Sequence, residues 1–169
     1  MSGQVGRFIR VDHAGEYGAA RIYAGQLAVL GGGARGAVIE HMRAQEQRHL
    51  EVFGEMISAR RVRPTALLPF WHAAGFALGA ASAVLGEKAA MACTVAVEEV
   101  IDAHYAAQEA ALGEGETGLR ETIASFRAEE LAHRDIALEH GAEQAPGYRL
   151  LSALIKTGCR VAIKLSERV

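Results

Sequence analysis

Apolar positions recur every three to four residues over several long stretches of the chain, which is the spacing that one face of an α-helix requires. Glycine and proline separate these stretches and predict helices over about residues 5–30, 34–60, 87–112 and 119–143, before a last helix that ends near residue 167. No stretch alternates with the period of two that a half-buried strand shows. The pattern predicts an all-α fold in one domain, residues 1–169.

Residues 65–86 form an apolar connector that contains no Asp, Glu, Lys or Arg. Ala and Gly dilute its hydrophobicity, and a span would put the two halves of the chain on opposite sides of a membrane. Two readings remain: a buried packing helix, or a segment in the membrane interface with Trp71 near the headgroups and Arg60, Arg61 and Arg63 meeting anionic lipid. The size of the apolar patch favours the interface. The last helix either extends that surface or packs against the other helices.

Charge and cysteine content remove several classes of function. The formal net charge of −2 and the lack of a basic stripe with interleaved aromatics argue against a nucleic-acid partner. Cys93 and Cys159 form no Cys-x-x-Cys pair, so neither a rubredoxin-type iron site nor a zinc knuckle is expected. They are predicted to be small buried residues in a reducing compartment.

The strongest chemical signal is a Glu-x-x-His motif that occurs twice, each time after a lone Glu. The six residues are Glu16, Glu46, His49, Glu98, Glu130 and His133. The lone Glu precedes its motif by 30 residues in the first half and by 32 in the second, which fits one helix, one turn and one helix. Residues three apart share a helix face, so each motif directs both side chains at one point. The pattern predicts a carboxylate-bridged site for two metal ions inside a four-helix bundle.

The donor set favours iron. Four carboxylates bring a charge of about −4, which two ferrous ions would neutralise in a buried site. Oxygen and nitrogen ligands without thiolate suit iron or manganese, whereas zinc offers no redox change and usually takes four ligands. The competing interpretation is that these residues lie on solvated helix faces, since isolated Glu-x-x-His matches arise by chance.

Two positions in the ligand set are ambiguous, because Glu99 follows Glu98 and Glu129 precedes Glu130. Glu98 is preferred because it shares a helical stripe with apolar residues, and Glu130 because it lies three residues before His133.

Three further residues are candidates for roles around the site. Tyr105, two turns after Glu98, either lines a substrate pocket, relays a proton or packs in the core. Asp12 and Asp102 lie four residues from Glu16 and Glu98, and they either accept a hydrogen bond from a ligating imidazole or face solvent.

Four segments resemble the demethoxyubiquinone hydroxylase family of ubiquinone biosynthesis: Ile-Arg-Val-Asp-His-Ala-Gly-Glu-Tyr-Gly-Ala at 9–19, Arg-Val-Arg-Pro-Thr at 61–65, Met-Ala-Cys-Thr-Val-Ala-Val-Glu-Glu at 91–99 and Gly-Cys-Arg-Val-Ala-Ile at 158–163. The resemblance covers nearly the whole chain. It implies a ferritin-like four-helix bundle with an apolar crossover segment and an additional C-terminal helix. It also places the family's metal ligands on the same six residues. Three more residues lie in or near these segments and are weaker candidates for a role at the site: His13, His104 and Arg160.

The resemblance also implies an activity and its partners. The family is a di-iron monooxygenase that uses dioxygen to hydroxylate the ring of a polyprenyl methoxy-methyl-benzoquinol, with electrons from the quinol or from NADH. No Gly-x-Gly-x-x-Gly follows a predicted strand, so a nicotinamide donor would bind without a Rossmann domain. The expected surroundings are a membrane surface, on the cytoplasmic face of a bacterial inner membrane or the matrix side of the mitochondrial one, and a lipid-binding accessory protein.

Two rival functions remain at this point. A ferritin-like iron-oxidising storage or peroxide-scavenging protein uses much the same ligands without an organic substrate. A non-enzymatic lipid-binding scaffold would keep the metal site only as a structural staple. The apolar connector favours the hydroxylase over storage, because storage bundles are usually water-soluble.

Overall fold

The computed structural model describes residues 2–169, except the side chains of Ser2, Ala34 and Arg35. Helix accounts for 86% of the chain, and the described residues contain no strand. The helices are α1 Ser2–Leu30, α2 Ala34–Ala59, α3 Leu68–Val84, α4 Glu87–Ala111, α5 Thr117–Glu139 and α6 Tyr148–Ser166. The all-α prediction is confirmed.

Four of the helices form the bundle, and two pack on its outside. The pairs α1–α2 and α4–α5 are hairpins with short connections, while α3 packs along α1 and α6 packs along α4. Gly75 lies against Gly18, and Gly79 against Ile22, so α3 runs in the same direction as α1. Helix α3 therefore carries the chain from the end of α2 to the opposite end of the bundle, where α4 begins. This arrangement is consistent with the expected ferritin-like bundle with an additional C-terminal helix.

Close contact between backbones joins α3 to α1. A Cβ atom on Gly79 would lie 1.9 Å from the carbonyl oxygen of Ile22, and one on Gly25 would lie 2.2 Å from that of Phe76. Only glycine leaves room for such an approach. The connector is therefore a packed helix on one side, and its small residues are required by that contact.

Glycine and proline set two of the helix boundaries. Helix α5 ends at Glu139, not near residue 143, because Gly141 adopts φ +84° and the chain turns into a 3-10 segment, Ala142–Gln144. Helix α3 begins at Leu68 with Pro69 in its first turn, where the missing N–H has no helical partner to lose.

The bundle core consists of two apolar clusters separated along the helices by a polar layer. One cluster includes Tyr23, Met42, Met91 and Ala137; the other includes Ile9, Phe53, Tyr105 and Phe126. On α2 and α5, both residues of each Glu-x-x-His motif fall between positions that belong to the two clusters. The predicted ligands thus lie in the middle of a dry bundle.

The outer helices leave apolar side chains in contact with solvent. Phe70 on α3 is 60% exposed, and Leu150 and Leu154 on α6 are 68% and 63% exposed. Among the described residues, no helix has both the length and the hydropathy that crossing a bilayer requires. The outward faces of α3 and α6 are called the apolar surface below.

Candidate metal centre

All six predicted ligand residues meet in the centre of the bundle. Helices α1 and α4 contribute one glutamate each, and α2 and α5 contribute one glutamate and one histidine each. Each of the six is at most 1% exposed: Glu16, Glu46, His49, Glu98, Glu130 and His133. Carboxylates are rarely buried to this extent unless a cation, a proton or a hydrogen-bond donor compensates them.

The neighbouring glutamates lie outside the centre. Glu99 pairs with Lys156 on α6, and Glu129 pairs with Arg48 on α2. The inward member of each ambiguous pair is therefore Glu98 in one case and Glu130 in the other, as the helical stripes predicted.

The six residues form two groups of four with two members in common. One group is Glu16, Glu46, His49 and Glu130, and the other is Glu46, Glu98, Glu130 and His133; in each, the ligand atoms lie within 4.8 Å of one another. Each imidazole directs Nδ1 inward: that of His49 lies 3.0 Å from Glu130, and that of His133 lies 3.1 Å from Glu46. Two sites that share two carboxylates are the arrangement of a bridged two-metal centre.

Hydrogen bonding and charge test whether cations fit this centre. Glu46 Oε2 and Glu98 Oε2 are buried and have no hydrogen-bond partner among the described residues, so both oxygens are free to bind an ion. Burial, reinforced by Glu130, raises the pKa of both Glu46 and Glu98 well above the usual range. Without metal, protons must therefore neutralise part of the cluster. The donors, their burial and their surplus of negative charge fit two divalent cations.

His49 carries some of that proton load. Burial disfavours the charged form of His49, but the carboxylates of Glu130 and Glu16 outweigh burial and raise its pKa to about 10. Burial likewise opposes ionisation of Glu130, yet its bonds to His133 and His49 lower its pKa to about 2. A metal ion bound to His49 would replace the proton on Nδ1, because an imidazole binds metal only through a deprotonated nitrogen.

Two tyrosines cross the centre to reach the glutamate of the opposite half. Tyr105 on α4 donates to Glu16, and Tyr23 on α1 donates to Glu98 Oε1 at 2.8 Å. Burial and the nearby carboxylates raise the pKa of both phenols, which stay protonated as donors. Tyr105 was a sequence candidate, whereas Tyr23 was missed. The signal was available, since each tyrosine follows the lone Glu of its own helix by seven residues.

The two aspartates do not contact the ligating imidazoles. Asp102 pairs with Arg127 at 2.6 Å, because its side of α4 faces α5 near the surface. Asp12 is buried, accepts a hydrogen bond from Gln108 at 2.7 Å and lies 3.4 Å from His104. Of the two alternatives left open for these aspartates, the hydrogen bond to a histidine of the cluster is therefore not found for either one. The outer ring nitrogens of His49 and His133 instead face Glu129 and Gln45, at 3.3 Å and 2.9 Å.

The weaker candidates lie outside both groups of four. His104 is half-buried beside Asp12, His13 is half-buried on α1, and Arg160 is exposed on α6. Burial lowers the pKa of His13. None of the three is placed to bind an ion in the centre.

An apolar cavity runs beside the centre. It has a volume of about 480 Å³ and lies between α1, α3, α4 and α6. Its lining includes Gly15 and Val97, which precede Glu16 and Glu98 in the chain. Trp71 and Ser166 also line it and are joined by a 3.1 Å hydrogen bond from the indole. The cavity can take an elongated apolar molecule next to the carboxylate cluster.

Comparisons with known proteins agree on one family. The chain matches the family described as ubiquinone biosynthesis protein COQ7 over residues 3–166. A relative in Rhodospirillum rubrum, named 3-demethoxyubiquinol 3-hydroxylase, is 58% identical over 98% of this chain and 78% of its own length. A Homo sapiens relative, named NADPH-dependent 3-demethoxyubiquinone 3-hydroxylase, mitochondrial, is 56% identical with the same coverage. The family resemblance of the motifs is thus confirmed, and the chain belongs to the COQ7 family of ubiquinone biosynthesis proteins.

Proposed function

We propose that this protein is a di-iron monooxygenase that adds a hydroxyl group to the ring of a polyprenyl methoxy-methyl-benzoquinol. The observation that carries the proposal is the pair of buried carboxylate–histidine groups that share Glu46 and Glu130, in a chain of this family. Relatives at 56–58% identity are named as hydroxylases of demethoxyubiquinol or demethoxyubiquinone. A storage or scavenging protein has no use for the apolar cavity beside the cluster.

Six residues would hold the metal in this proposal. Glu16 and His49 would bind one iron, Glu98 and His133 the other, and Glu46 and Glu130 would bridge them. The irons would supply the activation of dioxygen. One oxygen atom would enter a ring C–H bond to give the hydroxyl group, and the other would leave as water after taking up two electrons and two protons. The quinol or a nicotinamide would donate the electrons, and the name of the Homo sapiens relative includes NADPH.

Residues around the centre orient its glutamates and exclude water from it. Tyr23 and Tyr105 fix Glu98 and Glu16, the two glutamates that belong to only one metal position, by donating to one oxygen of each. The apolar clusters on either side exclude water, which preserves the strength of these hydrogen bonds. In this proposal the cavity lined by Ile22, Leu78 and Leu151 binds the substrate, with the ring near the centre and the isoprenoid tail toward solvent or lipid.

The same proposal places the protein on a membrane surface. The apolar surface of α3 and α6 supports interfacial binding, because exposed patches of this kind usually mark a membrane or protein contact. The lipid contacts expected of Arg60 and Trp71 are replaced in part by internal ones: Arg60 pairs with Glu116, and the Trp71 indole bonds to Ser166. We propose a peripheral position on the cytoplasmic face of a bacterial inner membrane, or on the matrix side in mitochondria, next to a lipid-binding accessory protein.

A single turnover tests the activity. Protein loaded anaerobically with ferrous iron is mixed with demethoxyubiquinol in detergent and exposed to isotopically labelled dioxygen, and mass spectrometry follows the ring. One labelled oxygen per product molecule is expected. Glu46→Ala should abolish labelling while circular dichroism remains helical, and Glu51→Ala, an exposed position on the same helix, should retain it. Iron oxidation without labelled quinol would instead favour storage or scavenging.

A further inference from the structure

A chain of hydrogen bonds outside the centre connects the two ligating imidazoles. Gln45 Oε1 lies 2.9 Å from the outer nitrogen of His133, and Gln45 Nε2 donates to Glu129 Oε2 at 2.7 Å. The same Glu129 oxygen lies 3.3 Å from the outer nitrogen of His49, and Arg48 also donates to it. Gln45 and Glu129 are called the outer bridge below.

The outer bridge fixes which nitrogen of each ring can bind metal. A carboxylate only accepts hydrogen bonds, so Nε2 of His49 must donate to Glu129. Since the amide nitrogen of Gln45 donates to Glu129, its oxygen is left to accept from Nε2 of His133. Both rings therefore keep Nε2 protonated and present Nδ1 to the carboxylates inside.

The two members of the bridge occupy equivalent positions but differ in charge. Each one immediately precedes the glutamate of a Glu-x-x-His motif. The outer nitrogen of His133 thus faces an amide, and the outer nitrogen of His49 faces a carboxylate. An anionic acceptor strengthens the hydrogen bond and makes the imidazole a more basic ligand than a neutral acceptor does.

Arg48 does not cancel this difference. Its side chain is 52% exposed, so solvent and salt screen its charge, whereas the ring of His49 is fully buried beside the carboxylate. The imidazole of His49 still faces a carboxylate oxygen, and that of His133 still faces an amide oxygen.

We propose that the outer bridge makes the two metal positions unequal, so that the position of Glu16 and His49 binds a divalent cation more tightly than that of Glu98 and His133. The inference rests on the proposed two-metal centre and adds an order of filling to it. Gln45 and Glu129 act as positioning residues, because they reach the ions only through the histidines.

Anaerobic calorimetric titration of the metal-free protein with Co²⁺ tests the proposal. The native chain should bind two ions in two resolved steps. Glu129→Gln should weaken the tighter step by about 10- to 100-fold and leave the weaker step unchanged. Gln45→Glu alone would put two carboxylates in contact, so the reversed arrangement is made with both substitutions together. Combining both substitutions should restore two steps in the opposite order, with the first Co²⁺ producing a paramagnetically shifted N–H signal from His133 instead of His49.

The control is Glu51→Gln, which removes one negative charge from α2 at a position hydrogen-bonded to Gln47 and not to an imidazole. It should leave both steps as in the native chain. Equal weakening of both steps by Glu129→Gln, or no change in either, would overturn the proposal while leaving the two-metal function intact. If Glu129→Gln alone fails to fold, a double variant that still binds its first Co²⁺ beside His49 overturns it by itself. A native chain that binds no metal would refute the proposed function as well.

Discussion

Single side chains tie the two halves of this protein to each other. Tyr23 and Tyr105 each donate to the glutamate of the other half, and each is at most 2% exposed. The phenols are therefore donors to carboxylates that have few other partners. Removing either phenol hydroxyl should lower the free energy of unfolding most when no metal stabilises those carboxylates.

We expect Tyr105→Phe to lower the free energy of unfolding of the metal-free protein by about 1–3 kcal/mol, because a buried carboxylate oxygen loses its donor. Tyr23→Phe should have a similar effect through Glu98. Urea denaturation monitored by circular dichroism measures the change. Tyr148→Phe is the matched control, since that phenol has no hydrogen bond to a carboxylate among those found in the described residues. An equal loss in all three variants would contradict the explanation.

At this scale the sequence supplied the six cluster residues but not their outer partners. Spacing on one helix is enough to select Glu46 with His49, because both lie on the same face. The contacts of Tyr23, Gln45 and Glu129 cross between helices, so they depend on the rotation and register of two elements. The two alternatives for Asp102 stayed open for the same reason, since its partner, Arg127, lies on α5.

Among the elements, α3 shows how glycine decides a helix contact. Its backbone touches α1 at Gly79 and Gly25, while its other side carries the exposed Phe70. One face of α3 thus packs against the bundle, and the opposite face is exposed to solvent.

Gly79→Ala should lower the free energy of unfolding by about 1–3 kcal/mol or more, because the new methyl group would overlap the carbonyl of Ile22. Thermal and urea unfolding measure this loss. Gly54→Ala on α2 meets nothing within 4 Å, and it should instead stabilise the protein by about 0.5–1 kcal/mol through helix propensity. A Gly79→Ala protein as stable as the native one would show that α3 can move away from α1 at no cost.

Helix boundaries were largely predictable, because glycine and proline mark them in the sequence. The connector was the exception. Its composition suits both a packed helix and a membrane-facing segment, and the choice depends on what lies beside it. The structure assigns one face to α1 and leaves the other open, which neither single reading anticipated.

For the whole molecule, the carboxylate cluster makes metal-free stability depend on pH. Folding raises the pKa of His49 from 6.5 to about 10 and raises those of Glu46 and Glu98. The folded chain therefore holds more protons than the unfolded chain, above about pH 4.5 through the two glutamates and above about pH 6.5 through His49 as well, and its stability falls as pH rises toward 10. Glu130, with its pKa of about 2, contributes only at acidic pH, where stability is lost as pH falls below about 4.5.

One extra bound proton costs about 3 kcal/mol over two pH units, so Tm of the metal-free protein should drop by about 5–10 °C between pH 7 and pH 9. Differential scanning calorimetry gives this slope. Saturation with a divalent metal should remove most of it, because the ions replace the protons. A metal-free Tm that stays constant over this range would contradict the protonation scheme.

The apolar surface predicts reversible binding to lipid. Replacing Phe70 and Leu154 with serine should weaken binding to anionic liposomes by about tenfold per side chain, since each contributes about 1.5 kcal/mol or more when buried in lipid. Sedimentation with liposomes measures this change, and iron loading should be unaffected. Ala124→Ser on α5 serves as the control. Unchanged binding would remove α3 and α6 as the membrane-binding surface.

The crossed tyrosines have a consequence for how the bundle finds its alignment. Apolar helices tolerate sliding, because one leucine or alanine can replace another at the same contact. A slip of one turn, about 5.4 Å, would separate Tyr23 from Glu98 and Tyr105 from Glu16 at the same time, so that each buried carboxylate would lose its phenol donor. The native alignment of the two hairpins is therefore favoured without any metal, by these two hydroxyl groups together with the buried hydrogen bond from Gln108 on α4 to Asp12 on α1.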